Sequence, residues 1–214
     1  MSKIVIWGRQ SSVNVQLVLW TLAELSLDYQ RHDAGFIYGV VDTPEFRSMN
    51  PNGLVPVLVD GTNPPIFESA VIVRYLCARY GGATLWPDDP VARALVDQWA
   101  EWAKWNVGHA FINTVFWKLI RTPAAEVDLA TIRQGLDQVE DNLSIANEKL
   151  ATSRYLADTV FTFADFMLGF TLYRYYDIDI PRREFPHLRR YYDRLCERPR
   201  YQNHVIYSYD ELRV

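Results

Sequence analysis

Residues 50–58 read Asn-Pro-Asn-Gly-Leu-Val-Pro-Val-Leu, which places a proline directly before a short apolar strand. Ten residues further on, the segment Glu68-Ser69-Ala70-Val71-Ile72 opens an amphipathic helix. A cis bond between Val55 and Pro56 would turn the backbone sharply and leave the N–H and C=O of Val55 free to pair with an extended peptide. Ser69 is predicted to cap the helix, whose positive N-terminal end attracts a carboxylate. Together these segments predict a binding site for a small peptide with an acidic end.

Short strands and helices alternate over the first 80 residues of the chain. Short apolar runs predict strands over 4–7, 57–59 and 66–67, and a further strand with a weaker sequence signal is predicted over 29–32. Helical periodicity and the Thr43-Pro44 start signal predict helices over 13–25, from position 43 and over 69–80. The resulting order, βαβ followed by αββα with a proline before the third strand, indicates a thioredoxin-like domain of the α/β class.

The stretch from Gly81 to Pro90 is rich in glycine, proline and aspartate and marks a domain boundary. We therefore divide the chain into an α/β domain over 1–81, a linker over 82–90 and a second domain over 91–214. Nothing beyond the linker has the pattern of a strand. The second domain is predicted to be all-helical.

Four helices are predicted in the second domain. A tryptophan-rich helix spans 91–121, and Thr122-Pro123 is predicted to start the next one, whose apolar stripe is typical of a bundle core. Thr162 and Asp165 have the spacing of a capping box at the start of a third helix. Pro186 is predicted to begin a fourth.

Charge and cysteine content narrow the possible partners. The 214 residues carry a net charge of −4, which argues against nucleic acid as a main partner because phosphate binding needs a basic surface. No apolar run approaches the roughly 18 residues of a membrane helix. Cys77 and Cys196 lie far apart and form no CxxC motif, which favours a reducing cytoplasmic location.

Other common chemistries lack their motifs in this sequence. The four histidines show no metal-ligand spacing with one another or with cysteine, so no metal is expected. The glycines form neither a P-loop nor a GxGxxG motif, and no GxSxG is present. Nucleotide binding and serine hydrolase chemistry are therefore unsupported.

The order and separation of these segments resemble the cytosolic glutathione S-transferases over essentially the whole chain. The segment Ser11-Ser12-Val13-Asn14, after the first strand, is similar to the serine-type members of the theta, zeta and several bacterial groups. The resemblance implies glutathione as co-substrate, a small electrophilic molecule as second substrate, and a homodimer.

Ser12 is the predicted catalytic hydroxyl, with Ser11 as the alternative and Asn14 within reach of the same sulfur. In the family, the hydroxyl stabilises the thiolate of glutathione. Lowering a thiol pKa from 8.5 by about two units requires roughly 2.7 kcal/mol. A hydrogen bond to a charged sulfur supplies about 1.5–3 kcal/mol, and a helix N-terminus adds roughly 0.3–1 kcal/mol. The alternative to a catalytic role is that Ser11 and Ser12 serve only to cap the helix.

The resemblance also implies which residues bind glutathione. The backbone of Val55, before Pro56, would pair with the cysteinyl unit. The Ser69 hydroxyl and the Ala70 N–H would hold the γ-glutamyl carboxylate, and Glu68 would bind the α-ammonium group. Ordinary helix capping is the alternative for Glu68 and Ser69.

Position 54 departs from the family pattern. Many members have lysine or glutamine immediately before the Val-Pro pair, where the side chain reaches the glycine carboxylate of glutathione. Leu54 cannot form that contact. Asn52, Arg9 and His32 are the candidate substitutes.

The second substrate is predicted to meet polar and aromatic side chains on the long helix after the linker. Spacings of three and four residues place most of this set on one helix face. Bundle core is the alternative for the tryptophans. The predicted set is Trp102, Trp105, Asn106, His109 and Asn113.

Two other functions remain open from the sequence. A glutathione-dependent disulfide reductase, isomerase or dehalogenase would use the same scaffold, because Ser-Val-Asn resembles the Thr-Pro-Asn of some bacterial disulfide-reducing members. A non-catalytic binding or regulatory protein would have kept the fold and lost the chemistry, and Leu54 is the residue that favours this interpretation.

Overall fold

A four-stranded mixed sheet forms the centre of the first half of the chain. The computed structural model describes residues 3–214. Its strands are β1 (Ile4–Trp7), β2 (Tyr29–His32), β3 (Val57–Asp60) and β4 (Ile66–Phe67), in the spatial order β2-β1-β3-β4. β1 is parallel to β2 and antiparallel to β3, which pairs antiparallel with β4. This sheet confirms the predicted thioredoxin-like fold.

Three helices accompany the sheet: α1 (Val13–Glu24), α2 (Pro44–Met49) and α3 (Ser69–Tyr80). The hydroxyl of Thr43 accepts a hydrogen bond from the Phe46 N–H at 3.2 Å, which confirms the predicted start of α2. A short 3-10 turn over Phe36–Tyr38 lies in the loop between β2 and α2.

The segment after α3 contains a short helix, α4 (Gly82–Leu85), followed by α5 (Pro90–Trp102). Asp89 caps α5 by accepting a hydrogen bond from the Ala92 N–H at 2.8 Å. These elements are compatible with a boundary in this region. The exact division at 81, 82–90 and 91 stays a prediction.

The long helix predicted over 91–121 is continuous but irregular. After α5, residues Ala103–His109 and Ile112–Phe116 form π-helical turns, and the helix ends in α6 (Trp117–Ile120). A π turn contains more than 3.6 residues, so it shifts which side chains share a face. Lys104 lies within the first of these π-helical segments.

The rest of the chain is helical, as predicted, and ends in short turns. Helix α7 begins at Leu129 with Asp128 as its cap, so the predicted start at positions 122–123 is wrong. A 3-10 turn over Ala124–Glu126 occupies that segment instead. The remaining elements are α7 (Leu129–Thr152), α8 (Phe163–Asp177), α9 (Pro186–Cys196), α10 (Pro199–His204) and a 3-10 turn over Asp210–Leu212.

The capping box predicted at the start of α8 is present. The Asp165 carboxylate accepts from the Thr162 N–H at 2.8 Å, from the Leu156 N–H at 2.9 Å and from the Tyr191 hydroxyl at 3.0 Å. Burial raises the pKa of Asp165 to about 6. One carboxylate therefore ties the start of α8 to the preceding loop and to α9.

Helix α1 is buried between the sheet and the helical bundle. Its Trp20 packs edge-on against Phe166 of α8 and Tyr201 of α10. Gly169 of α8 lies so close that a Cβ there would sit 2.9 Å from the Trp20 ring. Helix α1 is therefore held against the helical bundle as well as against the sheet. None of the helices formed by residues 3–214 has the length and hydropathy needed to cross a membrane.

Candidate active site

Ser12 occupies the N-cap position of α1, yet its hydroxyl does not cap the helix. The residue is 8% exposed, and its hydroxyl forms no hydrogen bond with any residue of the described range 3–214. Its backbone carbonyl accepts from the Gln16 N–H at 2.9 Å, which begins the helix. The hydroxyl is thus available at the positive end of α1.

Ser11 has a different environment, although it is the neighbouring residue. Its hydroxyl donates to the carboxylate of Glu211 in the C-terminal segment. Its carbonyl oxygen accepts from Nη2 of Arg174 at 2.5 Å. Both polar groups of Ser11 are therefore engaged in joining the β1–α1 loop to the helical domain, whereas the Ser12 hydroxyl is not engaged.

The bond between Val55 and Pro56 is cis, as predicted. Neither the N–H nor the C=O of Val55 is hydrogen-bonded within the part of the chain that the structure describes. Pro56 is buried and leads directly into β3, while Val55 is half-buried. The Val55 backbone therefore lies just before the start of β3, with both its N–H and its C=O unpaired within residues 3–214.

The start of α3 differs from the prediction in one respect. Glu68 is the N-cap residue, and Ser69 is the first helical residue, so the capping role predicted for Ser69 is wrong. Glu68 is exposed and has a φ of +68°, in the left-handed region that non-glycine residues rarely adopt. Ser69 is buried, and Ala70, the next residue, has one of the free N–H groups of the first turn.

Lys104, from the π-helical segment, reaches into this part of the site. Its Nζ donates to Oδ1 of Asn14 at 2.7 Å and to the Ser69 hydroxyl at 3.1 Å. Ser69 in turn donates to Asn14 Oδ1 at 3.2 Å. Three elements, α1, α3 and the long helix, thereby meet at one polar cluster next to Ser12.

The environment of Lys104 disfavours its positive charge. Desolvation by burial lowers the pKa of Lys104 to about 7, although Glu68 and Glu101 oppose that shift. Its Nζ also lies 4.2 Å from the centre of the Phe170 ring. No carboxylate forms an ion pair with Lys104 among residues 3–214. A bound carboxylate beside Ser69 would supply the missing countercharge.

The comparison with known proteins agrees with this geometry. Residues 11–79 match the family model described as glutathione S-transferase, N-terminal domain, and residues 109–199 match the model described as glutathione S-transferase, C-terminal domain. The chain is a glutathione S-transferase. It is therefore a transferase enzyme with the two-part fold of that family.

Named relatives cover nearly the whole chain. Glutathione S-transferase GstB of Escherichia coli K12 is 36% identical over 197 residues, which span 92% of this chain and 94% of the relative. A glutathione-bound theta-class transferase from Xanthomonas axonopodis pv. citri is 41% identical, with a TM-score of 0.91 over 98% of this chain and 100% of that one. Poplar glutathione transferase F1 is 26% identical, with a TM-score of 0.81 over 95% of this chain and 96% of the poplar chain.

The transferase has an apolar side chain at position 54, where the resemblance predicts a lysine or glutamine. Leu54 is 63% exposed, and only its carbonyl is bound, by the Asn50 amide at 2.7 Å. Of the candidate substitutes, Asn52 is hydrogen-bonded to Asn50 and His32 stacks on Trp7. Arg9 forms no side-chain hydrogen bond within residues 3–214.

The predicted second-substrate residues lie on the long helix, in different local environments. Trp102 is half-buried against Trp99, and Trp105 is 55% exposed beside the His109 ring at 4.6 Å. Asn106 and Asn113 are exposed, and the Asn113 amide donates to the His109 carbonyl. Within the described chain, none of the five hydrogen-bonds to Ser12, Asn14 or Ser69. Their role stays a prediction.

Sequence reasoning missed Lys104 altogether. A lone lysine among tryptophans on a helix has the pattern of an ordinary surface residue, and the π turns of this helix leave no clear mark in the sequence. Its proximity to Asn14, 90 residues away, appears only in the folded chain. The one available signal was a single lysine in an otherwise aromatic segment.

The best-formed cavity of the described chain lies away from the candidate site. A surface cavity of about 650 Å³ lies beside β2 and the end of α3, where it is lined by Tyr29 and Tyr80 among others, and it contains none of the residues above. Among residues 3–214 no three His, Cys, Asp or Glu side chains are grouped as metal ligands would be.

Proposed function

We propose that this transferase stabilises the thiolate of bound glutathione through the Ser12 hydroxyl, so that the sulfur attacks an electrophilic second substrate. The free hydroxyl of Ser12 at the N-terminus of α1 is the observation that carries the proposal. A hydrogen bond to a thiolate contributes about 1.5–3 kcal/mol, and the helix end adds about 0.3–1 kcal/mol. Their sum is close to the roughly 2.7 kcal/mol that a two-unit pKa shift requires.

The tripeptide is proposed to bind along the first domain. Its cysteinyl backbone pairs with the N–H and C=O of Val55, beside Pro56. Its γ-glutamyl carboxylate is bound by the Ser69 hydroxyl and the Ala70 N–H, and Glu68 binds its ammonium group. The unpaired backbone of Val55 and the free N–H groups at the start of α3 support this arrangement.

Asn14 has a different proposed contact from the one expected from sequence. Its Oδ1 accepts hydrogen bonds from Lys104 and Ser69, so the amide is oriented toward the γ-glutamyl end of the site. We assign Asn14 to the positioning of those two residues. Ser12, and not Asn14, is then the proposed hydrogen-bond donor to the glutathione sulfur.

An enzyme thiol does not account for the chemistry. Burial raises the pKa of Cys77 to about 12, and this residue lies within α3. Cys196 ends α9, and burial raises the pKa of its thiol as well. Neither cysteine is in the β1–α1 loop. The sulfur of glutathione itself is therefore the proposed nucleophile.

Conjugation of glutathione to chlorodinitrobenzene, followed alongside reduction of a mixed glutathione disulfide, tests the proposal. We expect conjugation with saturation in both substrates. Turnover of the disulfide without any conjugation would overturn the transferase mechanism in favour of disulfide reduction on the same scaffold.

A homodimer in the cytoplasm is the proposed biological form. Exposed Val71 of α3 and exposed Val91 and Leu95 of α5 offer apolar surface for a second copy. The two helices are held together by the ion pair of Arg74 with Asp97 at 2.7 Å. Two unpaired cysteines suit a reducing compartment.

Lys104 should make binding of the γ-glutamyl carboxylate dependent on pH. Because its pKa is about 7, the free protein loses this positive charge as the pH rises through 7. A carboxylate favours the charged form, so binding above pH 7 takes up a proton and the affinity falls by up to about tenfold per pH unit. We expect S-methylglutathione, which has no ionisable thiol, to bind more weakly at pH 8.5 than at pH 6.5, as measured by calorimetry.

The Lys104→Met variant is the matched comparison. It should bind S-methylglutathione more weakly at pH 6.5 and show little change in affinity up to pH 8.5. Lys118→Met, at an exposed position of α6, should retain the wild-type pH profile. Equal pH profiles for wild type and Lys104→Met would contradict a role for Lys104 in binding the carboxylate.

A further inference from the structure

Two arginines at the β1–α1 loop, Arg9 within it and Arg121 beside it, form no ion pair with an acidic side chain of residues 3–214. Arg9 is 9% exposed, and its Nε is buried without an acceptor. Its terminal nitrogens likewise donate to no residue in the range 3–214. Arg121, directly after α6, is exposed, and its guanidinium lies over two aromatic rings, 4.7 Å from the centre of Phe36 and 4.2 Å from the centre of Trp117.

Both guanidinium groups converge on the Phe36 ring. Arg9 lies 5.5 Å from its centre and Arg121 lies 4.7 Å from it. Burial and then the charge of Arg121 lower the pKa of Arg9. Two cations that share one ring repel each other, and a folded protein has no structural gain from leaving such a pair without an anion.

A third cation increases the positive charge around the same loop. Arg174 is buried, donates to the Ser11 carbonyl and stacks 4.5 Å from the Phe116 ring. Its Nε and Nη1 have no partner within residues 3–214. Glu211 accepts from Ser11, and its charge opposes the lowering of the Arg9 pKa, but it forms no ion pair with any of the three arginines within residues 3–214. The positive charge of this neighbourhood is therefore only partly balanced.

We propose that Arg9 and Arg121 bind an anionic group of the second substrate, so that the preferred acceptor is an electrophile that carries a carboxylate. A guanidinium group matches a carboxylate through paired N–H donors, which gives orientation as well as affinity. Phe36 and Trp117 provide apolar contact for the rest of the molecule. The proposal rests on the transferase function, since it names the class of molecule that the thiolate attacks.

The glycine unit of glutathione also has a carboxylate, which the same arginines could bind. Arg9 lies near this end of the tripeptide, since its Nη1 would be 3.4 Å from a Cβ at Gly35, which in turn is close to Val55. Arg121, however, belongs to the helical domain. Because both arginines lie over the same ring, we assign the carboxylate that they bind to the second substrate. The experiment must therefore separate the two sources.

Steady-state kinetics with a chloronitrobenzoate and the corresponding neutral chloronitrobenzamide provide the first test. For Arg121→Gln and for Arg9→Gln we expect kcat/KM for the acid to fall about tenfold or more, and that for the amide to change by about twofold or less. Arg93→Gln, which removes a guanidinium stacked on Trp86, should leave both values unchanged. Equal losses with the two acceptors would overturn the proposal.

A comparison of glutathione with γ-glutamylcysteine, which lacks the glycine unit, tests whether Arg9 binds the glycine carboxylate instead of the second substrate. If Arg9 binds the glycine unit, Arg9→Gln will raise KM for glutathione and not KM for γ-glutamylcysteine, while the acid-to-amide ratio stays that of wild type. That outcome would overturn the proposal. Arg121→Gln keeps the test decisive if Arg9→Gln does not fold.

A binding measurement makes the test independent of turnover. S-benzylglutathione and S-(carboxybenzyl)glutathione resemble the products of a neutral and an acidic acceptor. Calorimetry should show that wild type binds the carboxylated conjugate more tightly and that Arg121→Gln loses this preference. Wild type with no preference would contradict the inference even if conjugation itself were confirmed. Failure of both conjugates to bind would instead count against the glutathione site.

Discussion

Replacement of Ser12 by alanine is expected to lower kcat for conjugation about 10- to 100-fold, as expected for loss of one hydrogen bond to a charged sulfur. Affinity for glutathione should change by about twofold or less, because the backbone of Val55 and the first turn of α3 bind the tripeptide. Ser12→Ala removes a hydroxyl that makes no hydrogen bond within residues 3–214. We therefore expect the fold to keep its stability, as checked by thermal unfolding.

Ser11→Ala is the matched control for this prediction. It removes a hydroxyl from the adjacent position, but one that donates to Glu211 instead of facing the site. We expect it to reduce kcat less than Ser12→Ala does, and Ser12→Thr to restore part of the lost activity. A larger loss of kcat in Ser11→Ala than in Ser12→Ala would contradict the assignment and show that Ser11 is the catalytic serine.

Replacement of Asp165 by alanine is expected to lower the free energy of unfolding by about 3–5 kcal/mol, the range for removing one partner of a buried charged network. The Leu156 and Thr162 N–H groups and the Tyr191 hydroxyl would all lose their acceptor. Each buried donor left unpaired costs about 1–3 kcal/mol. Relief of the buried charge offsets part of this loss, since burial already raises the pKa of Asp165 to about 6.

Asp128→Ala is the control for Asp165. Asp128 also caps a helix, with bonds to the Ala130 and Thr131 N–H groups at 3.1 Å, but it is exposed. Its loss should cost about 1 kcal/mol, the usual value for an exposed N-cap. Urea denaturation of the two variants gives the comparison. Equal destabilisation would show that burial adds nothing to the Asp165 cap.

Local pattern sufficed for the sheet and for most helix starts. Strands 4–7, 29–32 and 66–67 were predicted with the bounds that the structure shows, because each is a short run flanked by turn residues. The helix starts at Pro44 and Pro186 were also predicted, since proline at the first helical position is a local signal. The family resemblance supplied the roles of the site residues.

Features that depend on distant contacts were not predictable. Ser69 was expected to cap α3, but the positive φ of Glu68 moves the cap one residue earlier. Lys104 reaches Asn14 across 90 residues of sequence, from a helix whose π turns no spacing rule indicated. Arg174 meets the carbonyl of Ser11 across 163 residues of sequence. The contacts of Lys104 and Arg174 depend on packing between the two halves of the molecule.

The pKa of the thiol of bound glutathione, followed by ultraviolet thiolate absorbance as a function of pH, is the most direct test of the mechanism. In wild type we expect a value about two units below the 8.5 of a free thiol, and in Ser12→Ala a value close to that of the free thiol. An unshifted value in wild type, or the same shifted value in both proteins, would contradict thiolate stabilisation by Ser12.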